Sequence, residues 1–453
     1  MTKAILLALI ALPLGCLSAE PFRIVVTDRE NGWPVPLVEL RTTHNVRFFT
    51  DNAGTAALDL PELFDRETWL FLASDGYEVA KDGFGYRGFR VTPEPSATFE
   101  IKVDRTMIAK RLGRLTGSGM FGESQKLGEY PNWRESGVFG CDSVQNAVHR
   151  GKLFWAWGDT KLAKYPLGIF DMTGATTELQ PLKTFEPPLQ LEFDYFRGEK
   201  ELPRGIAPIE GSGPTWLGGF VSLPDASGES RLVAHYVKVK PPLTVYRAGL
   251  CVWNDETGQF KDLKTLWEKS DAVPKPPSAP DGHPVFYTDS SDKQWVLFGD
   301  PFPHLKIPVS FEAWRDPAQW EAVDQPEHPV SADGQEIEPH RGSIVWNEFR
   351  QRWVTIFCQK GGSPSLLGEL WYAESESPFG PWGTAVKVLS HQNYSFYNPQ
   401  IHPGIVPDGS PILLFEGTYT KMFSNAPSAT PRYDYNQILY RIDLDDSKLA
   451  PAQ

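Results

Sequence analysis

The sequence has little positive charge and few cysteines, and beyond its N-terminal segment it has no long hydrophobic run. Lysine and arginine number 44 against 57 aspartates and glutamates, so the formal net charge is −13 at pH 7. Without a basic surplus, the chain cannot offset the phosphates of a nucleic acid or the charge of an anionic membrane. No later stretch reaches the roughly 18 apolar residues that a membrane-spanning helix requires. The composition therefore favours a neutral or cationic ligand. After the N-terminal segment, no membrane-spanning helix is predicted.

Cysteine occurs only 4 times in 453 residues. After Cys16, the remaining Cys141, Cys251 and Cys358 are at least about 100 residues apart, which matches no metal-binding spacing. We predict that these side chains are small, buried and hydrophobic, with a disulfide or a nucleophilic thiol as the less favoured alternative. The spacing of potential ligands identifies no metal site, and no cofactor is predicted.

The N-terminal segment 1–19 has the features of a secretory signal peptide. Lys3 precedes an apolar run, and small residues surround Ala19, as at a signal-peptidase site. We therefore predict export, with cleavage after Ala19, and a secreted or periplasmic location. The sequence LGC, which ends at Cys16, supports a second interpretation in which this cysteine is acylated and anchors the protein to a membrane.

Glycine and proline are abundant, at 39 and 40 residues, whereas long apolar periods of helical type are few. This pattern predicts an all-β protein of short strands joined by tight turns. In the segment 20–105, short apolar runs such as RIVVTD, PVPLVEL and ATFEIKVDR are broken by turn residues, which predicts a small antiparallel β-sandwich. Residues 106–137 are predicted to be a linker that leads into a second domain.

The second domain, predicted over residues 138–448, repeats one pattern. The segments GKLFWAWGD, SRLVAHYV, KQWVLFGD, QRWVTIFC and SPILLFEG each combine a turn with an apolar strand. After a longer first interval they recur about every 60 residues, and each is followed by a further strand, which is typical of a β-propeller. The sequence therefore predicts five blades, with Trp155 and Trp157 on an inner strand as ordinary core residues.

Polar residues precede the apolar strand of each predicted blade. A residue at the start of an innermost strand faces the central channel, where the blades converge and a ligand can reach it. The candidates in chain order are Asp142, Glu210, Trp216, Asp281, His283, Asp300, Glu338, His340, Tyr394, Tyr397, Asn398 and His402. Carboxylates at strand starts also cap turns, so each has a structural alternative; for Asp159, in WGDT, we predict the turn role.

The segment NYSFYNPQIHP combines aromatic and polar side chains more densely than packing requires. Aromatic faces stack on sugar rings, and amide and imidazole groups bind hydroxyls, so Tyr394, Tyr397, Asn398 and His402 are predicted to bind substrate. In the structural alternative, the tyrosines fill the space between blades and His402 bonds to the backbone. The remaining predicted binding residues are Trp216, His283, Asp300 and His340.

Two family resemblances follow from these motifs. VVTDRENGWPVPLVEL, FFTDNAGTAAL and LASDGYEV together resemble the carboxypeptidase regulatory-like (transthyretin-like) domains, which act as spacers or binding modules. EPH, RQRWVTIF and WYAESESPFGPW in blade four, with Asp142 before GKLFWAWGDT in blade one, resemble the five-bladed glycoside hydrolases of the family 43 type. The second resemblance covers the layout of residues 138 to 446, but its specific motifs lie in blades one and four alone.

The propeller resemblance implies roles for three carboxylates. Asp142 corresponds to the general base and Glu338 to the general acid. Where the family has an aspartate before proline as modulator of the acid's pKa, this chain reads GHPVF with His283. Either Asp281, our choice, or Asp300 takes that role, or the chemistry of this chain differs from that of the family. A calcium ion in the channel is suggested by analogy alone.

Hydrolysis of a glycoside needs one carboxylic acid to protonate the leaving oxygen and one carboxylate to activate water. Residues on different blades suit the separation of roughly 6.5 to 9.5 Å that inversion requires. Glu338 is expected to have its pKa raised by desolvation, as an acid requires. The sequence thus predicts an exported, inverting glycoside hydrolase that acts on a polysaccharide or oligosaccharide. A non-catalytic carbohydrate-binding propeller and a cell-surface interaction protein are the alternatives.

Overall fold

The computed structural model describes residues 20–169, 172–198 and 201–452. The predicted signal peptide and Cys16 lie outside these residues. Within them, no helix is both long and apolar enough to cross a membrane.

The N-terminal domain is a sandwich of two four-stranded sheets, with strand orders β4-β1-β8-β6 and β3-β2-β5-β7. Its strands are β1 (Phe22–Asp28), β2 (Glu39–Thr42), β3 (Arg47–Phe49), β4 (Thr55–Leu58), β5 (Thr68–Ala73), β6 (Tyr77–Glu78), β7 (Gly88–Val91) and β8 (Thr98–Arg105). Side chains alternate along β1, so that Phe22, Ile24 and Val26 enter the core between the sheets. The prediction of a purely antiparallel sandwich is wrong at one strand pair, because β1 and β8 run parallel.

Five four-stranded antiparallel sheets follow among the described residues, and they confirm the predicted all-β fold with five blades. Blade one contains β11 (Val144–His149), β12 (Lys152–Trp157), β15 (Thr173–Glu178) and β16 (Asp194–Tyr195). Blade two contains β17 (Thr215–Pro224), β18 (Ser230–Lys240), β19 (Thr244–Asn254) and β20 (Gln259–Glu268). Blade three contains β21 (Val285–Thr288), β22 (Gln294–Gly299), β23 (Pro303–Pro308) and β24 (Glu321–Ala322).

Blade four contains β25 (Pro339–Asn347), β26 (Arg352–Gln359), β27 (Glu369–Ser375) and β28 (Val386–Ser390). Blade five contains β29 (Ser395–Ile401), β30 (Ile412–Thr420), β31 (Asn436–Asp443) and β9 (Lys110–Arg114). Beside blade one, a small sheet is formed by β10 (Val138–Cys141), β13 (Thr160–Leu162) and β14 (Tyr165–Ile169). The α-helices α1 (Gly122–Lys126) and α2 (Phe311–Trp314) are single turns, and short 3₁₀ turns span Pro61–Leu63, Leu182–Phe185, Pro317–Gln319 and Ser447–Ala452.

The first strands of the blades surround the channel, since β11 contacts β17 and β29, and β25 contacts β29. The apolar repeats recognised in the sequence are therefore the second strands, one position farther out than predicted. A second strand has neighbours on both edges and a blade against each face, which explains its continuous apolar character. Trp155 and Trp157 on β12 are fully buried core residues, as predicted. Cys141, Cys251 and Cys358 are also buried and free of disulfides, which confirms their predicted role as small hydrophobic residues.

The ring is closed by a strand from the N-terminal side of the propeller. The segment 106–137, predicted to be a linker, contains β9, which pairs with β31 as the outermost strand of blade five. Blade five thus combines strands from both ends of the propeller domain. Hydrogen bonds between β9 and β31, rather than a covalent bond, close the ring.

His391 lies between blades four and five, where its environment predicts that acid destabilises the fold. Its ring is fully buried and stacks on Phe396 at a centroid distance of 5.1 Å. Burial lowers the pKa of His391 to about 4, and Arg111 adds to this effect while Asp75 opposes it. Because an unfolded histidine titrates near 6.5, the unfolded state binds the proton first as the pH falls.

We therefore expect His391 alone to remove about 3 kcal/mol from the free energy of unfolding between pH 6.5 and pH 4, from about 2.5 pKa units at 1.36 kcal/mol each. Urea unfolding across this range tests the prediction. His391→Gln should flatten the pH dependence whatever its stability at pH 7, whereas the same change at the exposed His44 should not. An equally steep dependence in His391→Gln would contradict the assignment.

Candidate functional site

Asp142 lies in the channel wall just before β11, where hydroxyl groups hold its carboxylate. Oδ1 accepts hydrogen bonds from the Ser143 N–H at 2.7 Å and from the Tyr397 hydroxyl at 2.9 Å, and Oδ2 accepts one from the Tyr435 hydroxyl at 3.1 Å. Burial raises the pKa of both tyrosines, and the neighbouring Asp142 raises each further. The tyrosines therefore remain protonated donors that fix the orientation of the carboxylate.

Arg341 on β25 lies among the channel carboxylates. Its Nη1 is 2.8 Å from Asp300 Oδ2, while the Gly342 N–H donates to Asp300 Oδ1 at 2.7 Å. Asp300 raises the pKa of Arg341 most, burial opposes this, and Asp281 and Asp142 raise it further. Carboxylates of blades one and three thus act on one guanidinium of blade four. Arg341 was not among the residues predicted from the sequence, although it directly follows the predicted His340. Its position within EPHRG, next to two candidate residues, could have indicated it.

Asp281 and Asp300, both from blade three, have opposite electrostatic environments. For Asp300, burial raises the pKa and outweighs the lowering by Arg341 and the Gly342 N–H. For Asp281, burial also raises the pKa, but His235, the Gly282 N–H and Arg341 together lower it below its usual value. Asp281 is exposed at the channel surface, although enough protein surrounds its carboxylate to raise the cost of its charge. Neighbouring carboxylates with divergent pKa values are a common feature of acid–base sites.

A glycine of blade two leaves room for Asp281. A Cβ at Gly218 would lie 1.8 Å from Asp281 Oδ1, far inside van der Waals contact. Any other residue would displace the carboxylate from its position beside His235 and Arg341.

The histidines His283 and His340 contribute neutral rings to the site. Burial lowers the pKa of His283 to about 3, and the nearby Arg341 adds to this. Burial and Arg341 also lower the pKa of His340. Both rings can therefore accept or donate a hydrogen bond at neutral pH without adding charge.

Trp216 and Asp159 belong to the same region. The half-buried Trp216 donates its Nε1–H to Asp159 Oδ1 at 3.1 Å. The Asp159 carbonyl accepts from the Asp142 N–H at 3.0 Å, so the turn predicted at WGDT directly supports the segment that carries Asp142. Glu210, the other blade-two candidate, is exposed ahead of β17.

Glu338 has a different environment from the one expected. Its side chain is 52% exposed and its carboxylate lies 2.7 Å from Lys360 Nζ. This hydrogen bond and the charge of Lys360 lower the pKa of Glu338, so the expected rise through desolvation is wrong. Because adjacent side chains of an extended segment point in opposite directions, the complete burial of Ile337 turns Glu338 toward solvent. Its role as the acid stays a prediction.

The blade-five candidates divide between the channel and the layers behind it. Tyr397 contacts Asp142, and Asn398 Nδ2 donates to Ser143 Oγ beside it. His402 is fully buried, and its Nε2 lies 3.3 Å from Glu416 Oε1. Tyr394 is also buried, where its hydroxyl donates to Asp434 at 2.7 Å.

Tyr394 stacks on Tyr419 at 4.2 Å and lines a groove beside the sandwich.

The structure therefore brings Asp142, Asp281, Asp300 and Tyr397 together around Arg341, and it sets Tyr394 and Glu338 apart from them. Among the described residues, no group of three or more histidine, cysteine or acidic side chains is arranged to hold a metal ion.

No family model matches this sequence, and no curated protein sequence matches it. Solved structures of similar fold include an exo-1,5-α-L-arabinanase from a bovine ruminal metagenomic library, with 10% identity, 67% of this chain and 93% of that chain covered, and a TM-score of 0.38. An exo-β-1,3-galactanase from Phanerochaete chrysosporium has 12% identity, coverage of 69% and 62%, and a TM-score of 0.39.

A family 43 β-xylosidase/α-arabinofuranosidase from a compost microbial metagenome has 12% identity, coverage of 62% and 86%, and a TM-score of 0.36. These similarities concern the fold and assign no substrate or residue role to this chain. Fold and site define an all-β protein with a sandwich and a five-bladed propeller that has an acidic channel. The identity of the sandwich as a carboxypeptidase regulatory-like domain stays a prediction.

Proposed function

We propose that the channel binds a neutral glycan and hydrolyses a glycosidic bond. The observation that carries this proposal is the convergence of Asp142, Asp281 and Asp300 on Arg341, with environments that move the pKa of Asp281 and that of Asp300 in opposite directions. Glycoside hydrolysis requires two carboxyl groups in different environments, one that gives up a proton and one that stays ionised.

Asp142 and Asp300 are best suited to the two chemical roles. Asp142 would act as the base that removes a proton from the attacking water, since both of its oxygens are already oriented by neutral donors. Asp300 would act as the acid that protonates the leaving oxygen, because burial favours its protonated form. Their positions on different blades support an inverting reaction, in which water attacks from the side opposite the leaving group.

The charge of the channel limits the substrate class. Three carboxylates surround a single guanidinium and the neighbouring histidines are neutral, so a polyanionic glycan would be repelled. We propose a neutral polysaccharide or oligosaccharide as ligand, met outside the cytoplasm after the export that segment 1–19 predicts.

A non-catalytic carbohydrate-binding propeller is the second candidate. It is favoured by the contacts of both Asp300 oxygens, one with Arg341 and one with the Gly342 N–H, because both contacts stabilise the ionised carboxylate. The pairing of Glu338 with Lys360 points the same way. Such a protein would bind the glycan and release it unchanged.

Hydrolysis of a panel of neutral plant and algal polysaccharides and aryl glycosides tests the proposal. We expect Asp300→Asn to lower kcat by about 10²- to 10⁴-fold, the usual contribution of an acid, and Glu338→Gln to change it little. Glu376→Gln, at an exposed carboxylate paired with Arg352, is the matched control, and thermal unfolding checks that each variant folds.

The alternatives give different results. Loss of activity in Glu338→Gln with retention in Asp300→Asn would return the acid role to Glu338. Glycan binding without product release by the wild type would overturn hydrolysis and favour the binding propeller.

A further inference from the structure

The outer face of one sandwich sheet carries a row of aromatic side chains. On β5, Thr68, Leu70 and Leu72 enter the core, so the intervening Trp69 and Phe71 face outward and are half-buried. The two rings lie 6.1 Å apart, and Tyr86 from the following loop lies 5.7 Å from Phe71. These residues and Phe84 form the aromatic row.

The loop that presents Phe84 and Tyr86 is an ordered turn. Asp82 Oδ1 accepts the backbone N–H groups of both residues, each at 2.9 Å. Phe84 is 89% exposed and Tyr86 is 57% exposed. Large apolar side chains held in water by a well-bonded turn are unfavourable for an isolated protein and are typical of a binding surface.

The aromatic row lies beside a groove of about 900 Å³ between the sandwich and blade five. Arg41 joins the two, because its guanidinium lies 4.5 Å from the Phe71 ring centre and its side chain also lines the groove. This volume lies in the range of roughly 300–1,000 Å³ typical of ligand sites, which often occur between domains.

The groove has balanced charge and many neutral polar groups. Its charged side chains are Arg41, Arg47, Arg87, Glu39, Glu78 and Asp75. Arg47 pairs with Glu39 at 2.6 Å, and Arg87 pairs with Glu78. Amides and hydroxyls, including Asn45, Gln392 and Ser428, occupy the space between them. An uncharged, hydroxyl-rich ligand matches such a lining, since it can bond to paired ions without separating them.

We infer that the aromatic row and the groove bind a neutral polysaccharide chain, at a site separate from the channel. Sugar rings stack on the exposed Tyr86 and Phe84, and hydroxyls bond to the polar groups of the groove. An anionic membrane is a poor occupant, because the arginines are paired and the chain has a net charge of −13. This inference does not require hydrolysis in the channel.

Affinity electrophoresis of the full chain in gels that contain laminarin, xylan, galactan or dextran tests the inference. Asp142→Asn serves as the background, so that the polysaccharide is not degraded. We expect at least one polysaccharide to retard this protein, and the added Phe84→Ala and Tyr86→Ala substitutions to weaken binding about tenfold. Phe349→Ala, at a 42% exposed phenylalanine in a turn of blade four, is the matched control and should bind unchanged.

The outcomes separate this inference from the proposed hydrolysis. Unchanged retardation in the double variant, or no retardation by any of the polysaccharides, would overturn the sandwich site, whether or not the wild type releases sugars. Retardation that depends on Phe84 and Tyr86, together with no sugar release by the wild type, would support the sandwich site and overturn the channel function.

Discussion

Replacing Asp142 by asparagine is expected to lower the hydrolytic kcat by about 10³-fold or more while the propeller stays folded. The amide has nearly the same shape and can still accept the Tyr397 hydrogen bond, but it cannot take a proton from water. Hydrolysis of the best polysaccharide in the panel, measured alongside its binding, checks this result. Binding should change much less than turnover, because asparagine keeps the polar contacts of the channel wall.

Tyr435→Phe separates the orientation of Asp142 from its chemistry. This change removes one of the two tyrosine hydrogen bonds to the carboxylate, so we expect a smaller loss of about 10-fold and a shifted pH profile of kcat/KM. Full activity of Asp142→Asn, with proper folding, would place the chemistry elsewhere in the channel.

Replacing Arg111 by methionine is expected to destabilise the protein by about 3–5 kcal/mol, the usual effect of breaking a buried charged network. Arg111 lies on β9 and is 2% exposed. Its guanidinium donates to the Tyr440 hydroxyl at 3.0 Å, to the Pro36 carbonyl at 3.1 Å and to the Asp75 carbonyl at 2.7 Å. The change would leave carbonyls of the sandwich and a hydroxyl of blade five buried without these partners.

Urea unfolding followed by fluorescence measures this loss. Since Arg111 connects the sandwich to the strand that closes blade five, we expect the variant to unfold in separate sandwich and propeller transitions. Arg352→Met, at an exposed surface pair, is the control and should leave the transition unchanged. A change below about 1 kcal/mol in Arg111→Met would show that the domains are held together by other contacts.

Much of the fold was predictable because its signals are local. Alternation along β1 and the apolar run of β12 follow from burial of one or both faces of a strand. The closing role of β9 was not predictable in this way, because pairing of Lys110–Arg114 with β31 connects residues more than 300 positions apart. Nothing in the composition of that short strand specifies its partner.

The candidate site was predictable only in part. Asp142 was recognised from its place before an apolar strand, and Tyr397 from its aromatic and polar neighbours. Glu338 was predicted from the short motif EPH. This motif does not indicate whether the side chain faces the channel or, as in the structure, Lys360. Arg341, three residues farther on, has the central position instead.

Sequence patterns were sufficient to predict an all-β protein, a sandwich followed by a five-bladed propeller, and the core positions of Trp155 and Trp157. These properties depend on side-chain periodicity and burial, which each strand expresses within its own residues. The pairing of Arg341 with Asp300, the influence of Asp142 and Asp281 on the same guanidinium, and the pairing of Glu338 with Lys360 depend instead on the packed structure. Electrostatic interactions and the pKa values they shift depend on distances between blades, and these distances are established only when every blade has packed against its neighbours.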